Sequence, residues 1–285
     1  FGAQALLLII AINLLLPNDA SKITSKSERI PIVRLATLAL AIVLMSLAGA
    51  DYDRVTSPLL VLSGVMALAL FVFRDRAALS SRILPKALTN LNHPIGNGVL
   101  TIFLLCLCIM SFLIYGPTII IKLHGVTPFT AGLIVMGETL AWSCSALIFS
   151  STAENKEPML IRVGSSLVVI GLIAMALTLS GQALWMIVIA TLIGSTGFGM
   201  MWGFIIKRII INASTDEKAR TSSLLPMTLQ LGFALGAAIA GIIANSLGLS
   251  ETMNNDDIRH VAFWLFIGFV PLALLGNLFA WRFVR

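Results

Sequence analysis

The chain has 285 residues, 58% hydrophobic and 11% charged, with a mean hydropathy of +0.98. Soluble domains carry roughly 25% charged residues, so this composition excludes an ordinary soluble domain. The net charge of +6 does not mark a nucleic-acid binder, because the basic residues are scattered between apolar runs and form no single patch.

Nine apolar runs follow one another: Phe1–Pro17, Val33–Ala50, Ser57–Phe73, Asn97–Ile121, Phe129–Ser150, Met159–Leu179, Ala183–Ile206, Ser223–Leu247 and Val261–Trp281. Each is about long enough to cross a hydrocarbon layer ~30 Å thick as a helix. Phe1–Pro17 has neither a basic leader nor a small-residue cleavage site, and reads as the second half of a span rather than a signal peptide. The next two runs make a transmembrane hairpin over 33–73, joined by the loop Asp51–Thr56. A polar linker over 74–96 follows, with Pro85, Asn92 and Pro94. Within it, Leu79–Leu91 fits a short interfacial helix with Arg82 and Lys86 toward water, or a plain linker. The last six runs, over 97–285, have short connections and read as one six-helix bundle.

Pro128 and Pro158 stand where helices begin, a position at which the missing N–H costs nothing. Pro117, Pro226 and Pro271 fall inside spans and predict kinks. Gly232, Gly236 and Ala240 recur at spacing four, Gly241 lies on an adjacent stripe, and Gly194, Gly197, Gly199 and Gly203 thin the seventh run. Small residues at this spacing let helices approach closely in lipid. Gly197-Phe-Gly199 is no dinucleotide fingerprint, since no strand precedes it.

Alternating the connections collects sixteen of the nineteen Lys and Arg residues on one face, leaving Arg54, Lys122 and Arg259 on the other. Basic loops stay cytoplasmic. The expected topology therefore has its C-terminus in the cytoplasm and an outside start, which predicts further spans ahead of Phe1. The three cysteines all lie in spans. Cys106 and Cys108 point about 200° apart on a helix, so they cannot chelate one ion. His93, His124 and His260 lie on different sides or far apart, and no metal site is expected.

Of the thirteen acids, Glu138 alone falls deep within a run, ten residues into the fifth. An ionisable group at that depth costs about 2.5 kcal/mol or more even on lenient scales and is usually functional. Glu138 is thus the candidate proton-coupling or cation-binding residue; the plainer alternative is a protonated acid bonded to a neighbouring helix. Trp142, one turn later, can share a cavity wall with it. Gln230, Thr228 and Asn97 are further cavity-lining candidates, for which interhelical hydrogen bonding is an equal reading.

The arrangement resembles the major facilitator superfamily, and within it the fourteen-span drug/proton antiporter branch. The run Leu225-Pro-Met-Thr-Leu-Gln230-Leu-Gly232-Phe-Ala-Leu-Gly236-Ala-Ala-Ile-Ala-Gly241 is similar to the branch's glycine- and alanine-rich penultimate span, and Gly125–Gly132 to the family's turn into a next span. The basic loop signature of the family is degraded over Ser151–Arg162. The resemblance implies a C-terminal six-helix bundle over 97–285 built of 3 + 3 inverted repeats, the inserted hairpin over 33–73, and, over 1–17, the end of the last span of an N-terminal bundle. It further implies proton-coupled efflux of small amphipathic compounds across the plasma (inner) membrane, with protons, substrate, lipid and the N-terminal bundle as partners and no organic cofactor. A polytopic enzyme such as a lipid-linked transferase is the rival class, but it would need clustered His, Asp or Ser at one interface. A nontransporting sensor of the same fold is the third reading.

Overall fold

The computed structural model describes residues 31–50, 55–78, 82–85, 88, 93–179, 183–249 and 254–285, all within the compact unit Pro31–Arg285. Eight helices make up most of it: α1 (Ile32–Ala50), α2 (Thr56–Ala77), α3 (Pro94–His124), α4 (Pro128–Phe149), α5 (Glu157–Leu179), α6 (Leu184–Ile211), α7 (Lys218–Ser246) and α8 (Asn255–Phe283). Each is long and apolar enough to cross a membrane, and no strand occurs among the described residues. Helices satisfy their own backbone in lipid; the chain is an all-α, polytopic membrane protein. The run Phe1–Pro17 and the loop residues 51–54 lie outside the described residues.

Local chemistry sets the helix ends. Pro94 opens α3, with His93 Nδ1 accepting from Ile95 N at 3.3 Å, so the helix starts three residues before the expected Asn97. Gly125 closes it in the left-handed region at φ 60°, a conformation that glycine adopts without a Cβ clash. Thr127 then caps α4, accepting from Thr130 N at 3.2 Å. Asn254 caps α8, where Asp256 and Asp257 sit in the positive first turn.

The end of α2 departs from the sequence expectation. Its apolar run stops at Phe73, yet the helix continues through Arg74, Asp75 and Arg76 to Ala77. Asp75 is 1% exposed and is satisfied there: Arg34 Nη1 donates at 2.7 Å, Ile83 N at 2.9 Å and Leu84 N at 2.8 Å. The same bonds explain why no interfacial helix forms over Arg82–Pro85. The backbone there turns its N–H groups to Asp75 and bends, and Leu84 is buried. Lys86 lies outside the described residues.

The pairing of α3–α8 is symmetric under exchange of one triplet for the other. Helix α3 packs mainly on α7 and α8; α6 packs mainly on α4 and α5; α5 and α8 pair with each other. Glycines carry these seams. A Cβ on Gly232 would come within 2.8 Å of Phe103 O on α3, and one on Gly236 would run into the Leu107 backbone. Gly171 faces Gly194, and Gly164 faces Gly197, across the α5–α6 contact. Gly241 meets Gly49 of α1, joining the α1–α2 hairpin to α7, and Asn245 Nδ2 donates to Gly49 O at 3.3 Å. Gly203 differs from its neighbours in the seventh run: it has open space around it and seals no seam.

One end of the molecule is marked by contacts between helix ends. Glu157 at the start of α5 accepts from Lys207 Nζ at 2.8 Å and Arg208 Nε at 3.0 Å at the end of α6. Arg162 Nη2 donates to Val284 O at 3.2 Å beside the end of α8. Gly98 near the start of α3 lies against Ile209 and Phe283. Every described Lys and Arg falls at this end except Lys122 and Arg259. Outward faces keep large apolar side chains such as Leu147 (74% exposed) and Trp185 (63%), which suits a lipid surround and no aqueous one.

Candidate functional site

Glu138 is the eleventh of the 22 residues of α4 and points into a cavity among α3, α4, α5 and α6. The cavity holds about 100 Å³ of water-sized space. Glu138, Thr139 and Trp142 form its α4 wall; Ser111 and Phe112 face them from α3, Leu172 and Met175 from α5, and Ser195 and Phe198 from α6. The lining is mostly apolar, with the carboxyl as its one ionisable acid among these residues.

The polar contacts of the carboxyl are few. Ser195 of α6 lines the cavity with it, while Oε2 is buried with no partner among the described residues. An acid so placed, half-buried against mostly apolar walls, interacts with a proton or a cation more strongly than it would in water. Small residues create the room: Gly194 precedes Ser195 and lets α6 lie close to Gly171 of α5. Gly199 rests against the Trp142 carbonyl and the Ser145 hydroxyl, bringing α6 onto the face of α4 that carries Glu138.

Three aromatics extend the wall. Trp142 meets Phe198 edge-on at 4.8 Å between ring centroids, and Phe198 stacks on Trp202 at 5.3 Å and 22°. Trp142 and Trp202 meet at 6.3 Å. Such contacts fix the ring planes, so the Trp142 face is held one helical turn from the carboxylate.

Glu138 and Trp142 are thus brought together. The other three candidates are not. Thr228 is buried on α7, donates to Leu224 O at 2.9 Å and lines a different groove, between α2, α3 and α7. Gln230 is exposed on α7. Asn97 is buried at the basic end of α3, where its carbonyl accepts from Thr101 Oγ1 at 2.9 Å. Ser111, Ser195 and Phe198 were not singled out from sequence. Their residue types are common in membrane helices, and only the packing of α3 and α6 against α4 marks them.

The cavity and its carboxyl belong to a chain that no family model matches. Among curated proteins, it aligns with the methylenomycin A resistance protein of Streptomyces coelicolor (strain ATCC BAA-471 / A3(2) / M145). The chain is similar to a resistance protein. Identity is 22% over 182 residues, which is 62% of this chain and 37% of that protein.

Proposed function

We propose that the chain forms part of a secondary active membrane transporter of the major facilitator type, in the fourteen-span drug/proton antiporter branch, exporting small amphipathic compounds. The observation that carries this is the Glu138 carboxyl, half-buried at mid-helix in a largely apolar cavity beside an ordered aromatic face. A carboxyl there can take up a proton from one side of a membrane and release it to the other, and each charge moved through 100 mV is worth ~2.3 kcal/mol. Trp142 offers an apolar cation a π face next to that charge.

Three further observations support the reading. The exchange symmetry of α3–α5 with α6–α8 is the pattern expected of inverted repeats. The gathering of Lys and Arg at one end is that of a cytoplasmic face in the plasma membrane, with the C-terminus inside. The relative is named a resistance protein, and export of a toxic compound confers resistance. Thr139 and Ser143 on α4 and Gln230 on α7 are exposed, as surfaces turned toward a second bundle would be; in this reading a second bundle completes the transport path.

The test is Glu138→Gln in the full-length protein, reconstituted in vesicles with an imposed pH gradient. Gradient-driven flux of a lipophilic cation is expected to fall at least 10-fold, with exchange at equal pH retained. Undiminished gradient-driven flux removes the coupling role.

A further inference from the structure

At the basic end of the molecule a groove of about 540 Å³ runs between the start of α5 and the end of α8. We propose that this groove binds an anionic phospholipid, with Arg162 taking the phosphate and the α5 surface taking one acyl chain.

Arg162 is held in place by two contacts. Its guanidinium lies 5.3 Å from the centroid of the Trp281 ring, and Nη2 donates to Val284 O at 3.2 Å. The Nε donor is buried and has no acceptor among the described residues. A buried cationic N–H that lacks an acceptor is costly, and Arg162 lines the groove. A phosphate diester fits the need: its paired oxygens match the planar fork of a guanidinium. The neighbouring acids do not oppose an anion, since Glu154 and Glu157 are engaged by Lys207 and Arg208.

The rest of the groove is suited to hydrocarbon. Met159, Val163 and Ile170 recur along α5 and are 62%, 37% and 52% exposed, with Leu167 lining the groove beside them. From Met159 to Ile170 the helix rises about 16 Å, close to one leaflet of a ~30 Å hydrocarbon core. Trp281, 44% exposed, stands at the headgroup level where indole rings collect. Ser166, on the groove floor, is turned to Asn277 Oδ1 at 3.3 Å. A free phosphate would have no use for the apolar track, whereas a lipid uses both halves. Basic pockets between helices on the cytoplasmic side are known headgroup sites in general.

This inference rests on the membrane reading alone and not on transport; a failure of Glu138→Gln to affect flux would leave it untouched. The test is native mass spectrometry of the chain in mild detergent, titrated with dioleoyl phosphatidylglycerol or dioleoyl phosphatidylcholine. Wild type is expected to retain phosphatidylglycerol at least 10-fold more tightly than phosphatidylcholine. Arg162→Gln should erase that preference, and Val163→Trp, which fills the track from an exposed position, should weaken retention at least 5-fold. Inorganic phosphate should not compete. Equal retention of both lipids by wild type, displacement by inorganic phosphate, or unchanged phosphatidylglycerol binding in Val163→Trp overturns the proposal. The last measurement decides it even where Arg162→Gln fails to fold.

Discussion

Arg34 Nη1 lies 2.7 Å from Asp75 Oδ1, joining the start of α1 to the end of α2 across a carboxylate that is 1% exposed. The same carboxylate holds the N–H groups of Ile83 and Leu84, so one side chain anchors both the hairpin and the segment that leaves it. Arg34→Gln strands a buried charge and is expected to cost about 3 kcal/mol. Asp75→Asn, which keeps an acceptor and removes the charge, should cost less. Thermal unfolding in detergent checks the order, and hydrogen exchange at Ile83 and Leu84 should accelerate in Asp75→Ala.

A second ionic cluster separates a buried acid from an exposed one. Lys207 bridges Glu154, whose side chain is 82% exposed, and Glu157, which is 3% exposed and also bound by Arg208. Exposed pairs contribute about 0–1 kcal/mol, while removing one member of a buried pair costs about 3–5 kcal/mol. Glu154→Ala should therefore leave the melting temperature nearly unchanged and Glu157→Ala should lower it sharply. Similar effects from both would show that the cluster is not a closed clamp.

Gly236 and Gly203 make a matched pair of substitutions. A methyl on Gly236 meets the Leu107 backbone, which cannot yield like a flexible side chain, and a methyl on Gly203 meets nothing within 4 Å. Gly236→Ala is expected to destabilise by about 3 kcal/mol through overpacking. Gly203→Ala should be neutral, or stabilising by up to about 1 kcal/mol from reduced backbone freedom. Size-exclusion profiles after graded heating would read the difference.

Topology is open to labelling. In a background with Cys106, Cys108 and Cys144 replaced, Ser151→Cys and Ser214→Cys should react with an impermeant maleimide only after the membrane is opened, and Thr127→Cys and Asn255→Cys in intact cells. Reaction of all four from one side would be incompatible with the alternation of α3–α8.

How much was legible depended on how far apart the interacting residues lie. Apolar runs reveal helices because the bilayer imposes a minimum apolar length on each of them, and the Glu138–Trp142 pairing follows from a local spacing of four. The extension of α2 to Ala77 was hidden, because Asp75 is accommodated by Arg34, 41 residues earlier. Ser195 and Phe198 were hidden for the same reason: the α4–α6 contact is set by Gly199 against Trp142, and no single helix reports it. A polar residue within an apolar run is a weak signal, since its helix has several faces. Thr228, Gln230 and Asn97 satisfy that criterion, and none of them lines the Glu138 cavity.

The crossed pairing of the two triplets bears on how the protein is made. Helix α3 has its main partners in α7 and α8, more than a hundred residues downstream, and α4 has its main partner in α6. Within the bundle, α3, α4 and α5 therefore enter the membrane with little to hold one another. The bundle can close only when the final span arrives, so nascent chains halted before α8 would be dependent on insertase or chaperone protection, and prime targets for quality-control proteolysis.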